Sequence, residues 1–286
     1  MISNRRAREA DFDTAVPRER FLKVAEFIRD GLDIPEGASP VNRDRPCRRP
    51  GPYPGPPVVG ARPSGVGESR TSGKEMRHMT IELYTWNTPN GRKISVALEE
   101  MGLPYKAIPV NITKGEQMAP EFLKLSPNNK IPAIVDSEGP DGKPVSVFES
   151  GAILLYLGEK TGKFLPKSLA GRIPVYEWLM WQMGGFGPMP GQVHHFIALE
   201  NEQDRAYGLK RYMAETRRLY GVLDRRLDGR DFVAGELSVA DFAILGWAWR
   251  HPRHKVELSD FPNVKRWYET LMARPATKRG MEAKLD

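Results

Sequence analysis

An α/β domain followed by an all-α domain, with a Pro/Gly-rich leader ahead of both, is the architecture this sequence predicts. Three observations carry it. From residue 80 to about 165, strand and helix signals follow the order β-α-β-α-β-β-α, which makes a mixed sheet with helices on its faces. From about 172 onward, apolar residues recur at helical spacing only. Residues 40–67 are dense in Pro and Gly and short of large apolar side chains. Such a stretch cannot bury enough surface to offset its ordering entropy, so disorder is expected there. The expected divisions are a leader at 1–78, an α/β domain at 79–165 and a helical domain at 172–286.

Within the leader, Phe21, Val24, Ala25, Ile28 and Leu32 sit at helical spacing. One short helix without a partner is marginal in water. No continuous apolar segment marks a secretory signal, and acidic residues follow Arg5 and Arg6, which argues against an export or transit peptide. Met76 or Met79 is an alternative start, with the upstream stretch an over-extended reading frame. The net charge of +7 divides into +4 for residues 1–78 and +3 for the rest. A folded part so near balance argues against general nucleic-acid affinity. No stretch approaches the roughly 18–20 apolar residues a membrane span requires. The single cysteine, Cys47, excludes a disulfide framework, a cysteine-based zinc site and a Cys-x-x-Cys pair. Cys47 also lies in the leader, without the fixed electropositive surroundings that make a thiol reactive.

In chain order, Ile81–Tyr84 alternates as a strand. Asn87-Thr-Pro-Asn-Gly91 is a helix start, a capping residue followed by Pro where no amide hydrogen is needed. Ile94, Ala97, Leu98 and Met101 give that helix one buried face, and Gly102 and Pro104 stop it. A second strand is expected at Tyr105–Asn111 and a short helix at Pro120–Leu125. The loop Ser126–Pro132 leads to a strand at Ala133–Val135. Glu138–Lys143 makes a hairpin turn, and Pro144–Phe148 returns as the fourth strand. Glu149-Ser150-Gly151 opens the apolar helix Ala152–Leu157. In the helical half, Leu219, Val222, Leu223 and Leu227 form one stripe, and Val264, Trp267, Tyr268 and Leu271 another. Ser238-Val-Ala-Asp241 is a capping box with Asp in the reaching-back position. A long helix is expected from near Pro174 to the break at Gly184–Gly191.

Three strings, TPNGRKISVALEE, SPNNKIPAIVD and FESGAILLYLGEKTG, resemble the thioredoxin-like domain of cytosolic glutathione transferases. They are most similar to the nu-class, glutathione-dependent disulfide-bond oxidoreductases and the related nitrogen-catabolite regulator with a prion-forming leader. The likeness runs from residue 80 almost to the C-terminus. It implies the glutathione transferase fold, glutathione as co-substrate, no metal, a homodimer and a cytoplasmic location. It also implies that the partner is a disulfide or electrophilic small molecule, with no nucleic acid or membrane involved.

Such an enzyme must hold glutathione and lower its thiol pKa. An unperturbed thiol titrates near ~8.5. A helix N-terminus and one hydrogen bond to the charged sulfur together lower that by roughly 1–3 units. By resemblance, Thr88 and Asn90 are the donors to sulfur; in isolation the same residues read as helix caps. Ser150 likewise reads as a cap, or as a hydroxyl that binds the γ-glutamyl carboxylate at a helix terminus. Glu149 is placed to pair with the α-amino group and Lys130 with the glycine carboxylate. Ile131, with a cis bond to Pro132 expected, presents its backbone to the cysteinyl unit. Gln117 and Arg211 match further polar contacts, though Arg211 reads equally as a solvated helix residue. Adjacent His194 and His195 suggest a metal, but they point to different faces of a helix and lack a third ligand, so packing or a cleft contact is expected.

Three functions compete: disulfide reduction by bound glutathione, conjugation of glutathione to electrophilic carbon, and a non-catalytic regulatory role using the leader. The first two share the thiolate. The leader lacks the Asn/Gln bias of a prion-like segment, which weighs against the third.

Overall fold

The computed structural model describes residues 81–284. Expectations about the leader, including the stripe Phe21–Leu32 and the surroundings of Cys47, fall outside them.

Strand β1 (Ile81–Thr85) pairs in parallel with β2 (Tyr105–Pro109) and antiparallel with β3 (Ala133–Asp136). Strand β4 (Val145–Phe148) adds antiparallel to β3, giving the order β2-β1-β3-β4. The parallel pair requires a crossover, and α1 (Pro89–Met101) supplies it. Strand β2 stops at Pro109, short of the expected Asn111. Proline cannot donate to the ladder, and the Asn111 carboxamide oxygen instead accepts from the Thr113 amide at 3.0 Å, turning the chain. Helix α2 (Pro120–Leu125) precedes β3, and α3 (Ser150–Thr161) follows β4. The Gly162 backbone, at φ 64°, ends α3 in the left-handed conformation that glycine adopts without strain.

The second half is helical: α4 (Leu169–Gly184), α5 (Pro188–Ile197), α6 (Glu202–Arg226), α7 (Val239–Ala248), α8 (Pro262–Ala273) and α9 (Pro275–Met281). Helix α4 begins at Leu169, earlier than the expected Pro174. Ser168 caps it, its hydroxyl oxygen accepting from the Gly171 amide at 3.1 Å, and Pro174 is carried inside the helix.

Every residue of α7 is buried, so it forms the centre of the core rather than an amphipathic wall. The Asp241 carboxylate holds its entry. It accepts from the Val233 amide, the Ser238 amide and hydroxyl, and Trp267 Nε1, each at 3.0 Å. Helix α9 returns to the first half and seats on α1. Ser95 Oγ donates to the Gly280 carbonyl at 2.6 Å, and Arg274 pairs with Glu100 at 2.6 Å. A Cβ at Gly280 would stand 2.6 Å from the Val96 amide nitrogen, and backbone cannot rotate away. Gly280→Ala is therefore expected to lower stability by about 1–3 kcal/mol, read as a reduced denaturant midpoint.

Candidate functional site

The turn from β1 into α1 places the first group of side chains. Thr88 has extended backbone and is the N-cap, its Oγ1 accepting from the Gly91 amide at 3.2 Å. Pro89 needs no amide partner there, and Asn90 follows in the first turn. Asn90 Oδ1 accepts from Trp247 Nε1 at 2.9 Å. An indole N–H can only donate, so this bond fixes the carboxamide and leaves its NH2 free for another acceptor. Trp247 is itself held by rings: His254 stacks on it at 18° with centroids 6.2 Å apart, and His194 lies 5.7 Å away. His194 and His254 stack at 4.9 Å. Burial, helped by Arg253 and Arg250, lowers His194 to about 4. Burial and the neighbouring His194 lower His254 to about 3. Both rings are neutral at physiological pH and serve as packing, as expected of His194. Among the described residues, no cluster of three or more His, Cys, Asp or Glu is placed to hold a metal.

A cavity of about 140 Å³ opens beside Asn90. It brings together six of the nine candidate residues: Asn90, Lys130, Ile131, Pro132, Glu149 and Ser150, with Ser126, Phe148 and Met183 completing the lining. Ser126 Oγ donates to the Lys130 carbonyl at 2.8 Å, which pins the loop, and the Ile131–Pro132 bond is cis. Glu149 has φ 69° and ψ 115°, a strained conformation for a side-chain-bearing residue, and it hands the chain abruptly from β4 into α3. Asn90 and Ser150 belong to the first turns of α1 and α3, so two helix N-termini border one cavity. That arrangement favours an anion.

Three candidates do not line the cavity. Thr88 lies two residues before Asn90 as a cap. Gln117 sits on the 3-10 turn Glu116–Met118 with its Oε1 buried and unpartnered. Arg211 is exposed on α6. Of the two readings of Ser150, the cap is corrected. Glu149 is the N-cap, without a side-chain capping bond, and Ser150 is the first helical residue.

The Ser150 hydroxyl instead faces Lys93, a residue sequence reasoning passed over. Lys93 is 1% exposed, and its Nζ lies 3.1 Å from Ser150 Oγ, 2.7 Å from Gln182 Oε1 and 3.5 Å from Met183 Sδ. Burial pushes its ammonium down to about 7, with Glu149 opposing the shift. A signal existed: Lys93 is three residues from Asn90 and four from Ala97, so a lysine lies along the inward side of α1. Trp247, Gln182 and Met183 carried no local signal, because their meaning depends on contacts 90 or more residues away in sequence or on the same long-range packing.

Comparison with known proteins shows the family. The family model described as Glutathione S-transferase, N-terminal domain, matches residues 79–159, and that for the C-terminal domain matches 187–275. The chain belongs to the glutathione S-transferase family of enzymes. Disulfide-bond oxidoreductase YfcG of Escherichia coli is 49% identical over 203 residues, spanning 70% of this chain and 94% of that protein. A Burkholderia graminis glutathione transferase structure with two glutathione molecules per subunit matches at TM-score 0.68 and 43% identity. It covers 73% of this chain and 90% of that one. A Pseudomonas putida glutathione transferase with one glutathione disulfide per subunit matches at TM-score 0.67 and 43% identity, covering 73% and 94%.

Proposed function

We propose that this enzyme reduces small or mixed disulfides with glutathione. The observation that carries the reading is the cavity shared by the first turns of α1 and α3, in a fold whose only cysteine, Cys47, precedes residue 81. No cysteine lies among the described residues, and in this reading each reacting sulfur comes from a ligand. Bound glutathione thiolate attacks a disulfide sulfur, forming a mixed disulfide and expelling the other sulfur as a thiolate that takes up a proton. A second glutathione thiolate then attacks the mixed disulfide, releasing the remaining thiol and leaving oxidised glutathione. The names of YfcG and of the disulfide-bound Pseudomonas structure support this choice over conjugation.

In this reading Asn90 donates its free NH2 to the sulfur, and Thr88 holds the turn and adds its hydroxyl. Ser150 and the α3 amides receive the γ-glutamyl carboxylate, and Glu149 its amino group. Lys130 receives the glycine carboxylate, and Ile131, before cis-Pro132, pairs with the cysteinyl backbone. Gln117 and Arg211 make outer polar contacts. Trp247 acts through Asn90. Trp247→Phe keeps the stack with His254 but removes the N–H, and turnover is expected to fall about 3- to 10-fold, the value of one ordinary hydrogen bond.

A homodimer belongs to the same proposal. Leu169, Ile173 and Met180 of α4 are 70%, 49% and 53% exposed, an apolar stripe suited to a second copy. Because glutathione is kept reduced in the cytosol, a cytoplasmic location belongs to the same proposal. Among the described residues, no helix is long and apolar enough to cross a membrane.

Rates with a hydroxyalkyl disulfide and with a chloronitrobenzene acceptor, each with glutathione, test the function. The disulfide should be turned over faster. The reverse ranking would make the enzyme a conjugating transferase, and glutathione binding without turnover would make it a binding protein.

A further inference from the structure

Lys93 is a buried amine whose three hydrogen-bonding contacts are all neutral groups. Taking a cation out of water is unfavourable unless surrounding structure compensates, and Glu149 supplies the nearby opposite charge without a direct hydrogen bond. The fold accommodates the side chain closely: a Cβ at Gly246 of α7 would stand 2.8 Å from Lys93 Cγ. An ammonium can only donate. Ser150 Oγ therefore accepts from Lys93, and its own proton is left to go elsewhere. In the structure its neighbour is Met183 Sδ at 3.5 Å, a weak acceptor. Gln182 Oε1 is occupied in the same way, and its buried Nε2 has no partner. Ser150 lines the 140 Å³ cavity, while Gln182 and Lys93 line an adjoining one of about 420 Å³ that shares Asn90 and Met183. In its charged form Lys93 thus leaves the Ser150 proton only a weak sulfur acceptor and the buried Gln182 carboxamide nitrogen none.

We propose that Lys93 is a positioning residue and the buried counter-charge of the glutathione site: it turns the Ser150 hydroxyl proton towards the γ-glutamyl carboxylate and takes up a proton as that carboxylate docks. This rests on the glutathione reading above. The groups facing Lys93 are Glu149 and Ser150 from the start of α3, Gln182 and Met183 from α4, and Trp247 from α7. Glu149 is the titratable one among them. With its ammonium lowered to about 7, Lys93 is largely neutral in the free enzyme above that pH. A carboxylate beside Ser150 favours the charged form, so affinity declines as pH rises past the free-state value.

Calorimetric titration of S-methylglutathione, whose sulfur carries no proton, tests this in the full chain near pH ~8, in two buffers of different ionisation enthalpy. Wild type should take up about half a proton or more per ligand. Lys93→Arg, a cation throughout this range, should bind without that uptake. Lys93→Met should also lose the uptake and bind about 10-fold more weakly or worse, through the loss of a charge-assisted contact. Proton uptake unchanged in both variants would overturn the proposal, as would binding to wild type without uptake. The ligand's own groups titrate alike in all three proteins, so the difference isolates Lys93. Should the variants not fold, wild type decides alone: affinity should fall about tenfold between roughly pH 6.5 and 8.5, and a flat profile overturns the proposal. No binding by wild type at any pH would instead overturn the glutathione reading, and Lys93's role with it.

Discussion

Replacing Asn90 with alanine is expected to lower the kcat of glutathione-dependent disulfide reduction by about 10- to 100-fold, with the KM for glutathione moving by about threefold or less. A hydrogen bond to a charged acceptor contributes about 1.5–3 kcal/mol, which converts to that range of rate. In the proposed reading the binding contacts lie at the two charged ends of the tripeptide, so the split between kcat and KM follows. Asn90→Asp should be worse than alanine. One carboxylate oxygen would still accept from Trp247, and the other would face the thiolate with a negative charge where the NH2 had been. Thr88→Ala should lower turnover about 10-fold and also cost about 1 kcal/mol of stability, because Thr88 caps α1. Thr88→Ser keeps the hydroxyl and should retain both properties. Steady-state kinetics on these four variants checks the set, and wild-type turnover in Asn90→Ala would remove that residue from the chemistry.

Asp241→Ala should be the most damaging change to the fold, lowering stability by about 3–5 kcal/mol. The carboxylate is fully buried, and burial pushes it up to about 6 against the donors that favour its ionised form. Alanine leaves the Val233 amide, the Ser238 amide and Trp267 Nε1 without their acceptor. Each unsatisfied buried donor costs about 1–3 kcal/mol, offset in part by relief of the buried charge. Urea unfolding followed by tryptophan fluorescence would show the shifted midpoint. A shift under about 1 kcal/mol would mean that α7 holds its place by apolar packing alone.

Local signals carried the first domain well. The Thr88-Pro89 start of α1, the strand alternation at Ile81–Tyr84 and the turn at Glu138–Lys143 are written in neighbouring residues, where capping and side-chain period act. The same is true of Asp241 reaching back three residues to Ser238. What escaped was long-range or conditional. Ser150 is a cap by its residue type, yet the positive φ of Glu149 moves the cap back by one and frees the hydroxyl for Lys93. Strand β2 ended early because Pro109 and the Asn111 turn outweighed an extended apolar run. Helix α4 began early because the cap at Ser168 outweighed the proline expected to start it. Trp247 lies 157 residues from Asn90, and no periodicity links an indole in one helix to a carboxamide in another. The candidates the sequence placed best are those bound to a backbone feature: the loop before cis-Pro132 and the start of α3. Gln117 and Arg211 rested on likeness alone, and neither lines the cavity.

The ionisation of glutathione on the protein is the measurement that bears most directly on a sulfur supplied wholly by ligand. Ultraviolet difference absorbance of the thiolate, followed against pH in the glutathione complex, should place the bound thiol at least about one unit below the free one. In Asn90→Ala the value should return most of the way. A bound thiol titrating with the free one would contradict the chemistry assigned to Asn90 and to the first turn of α1.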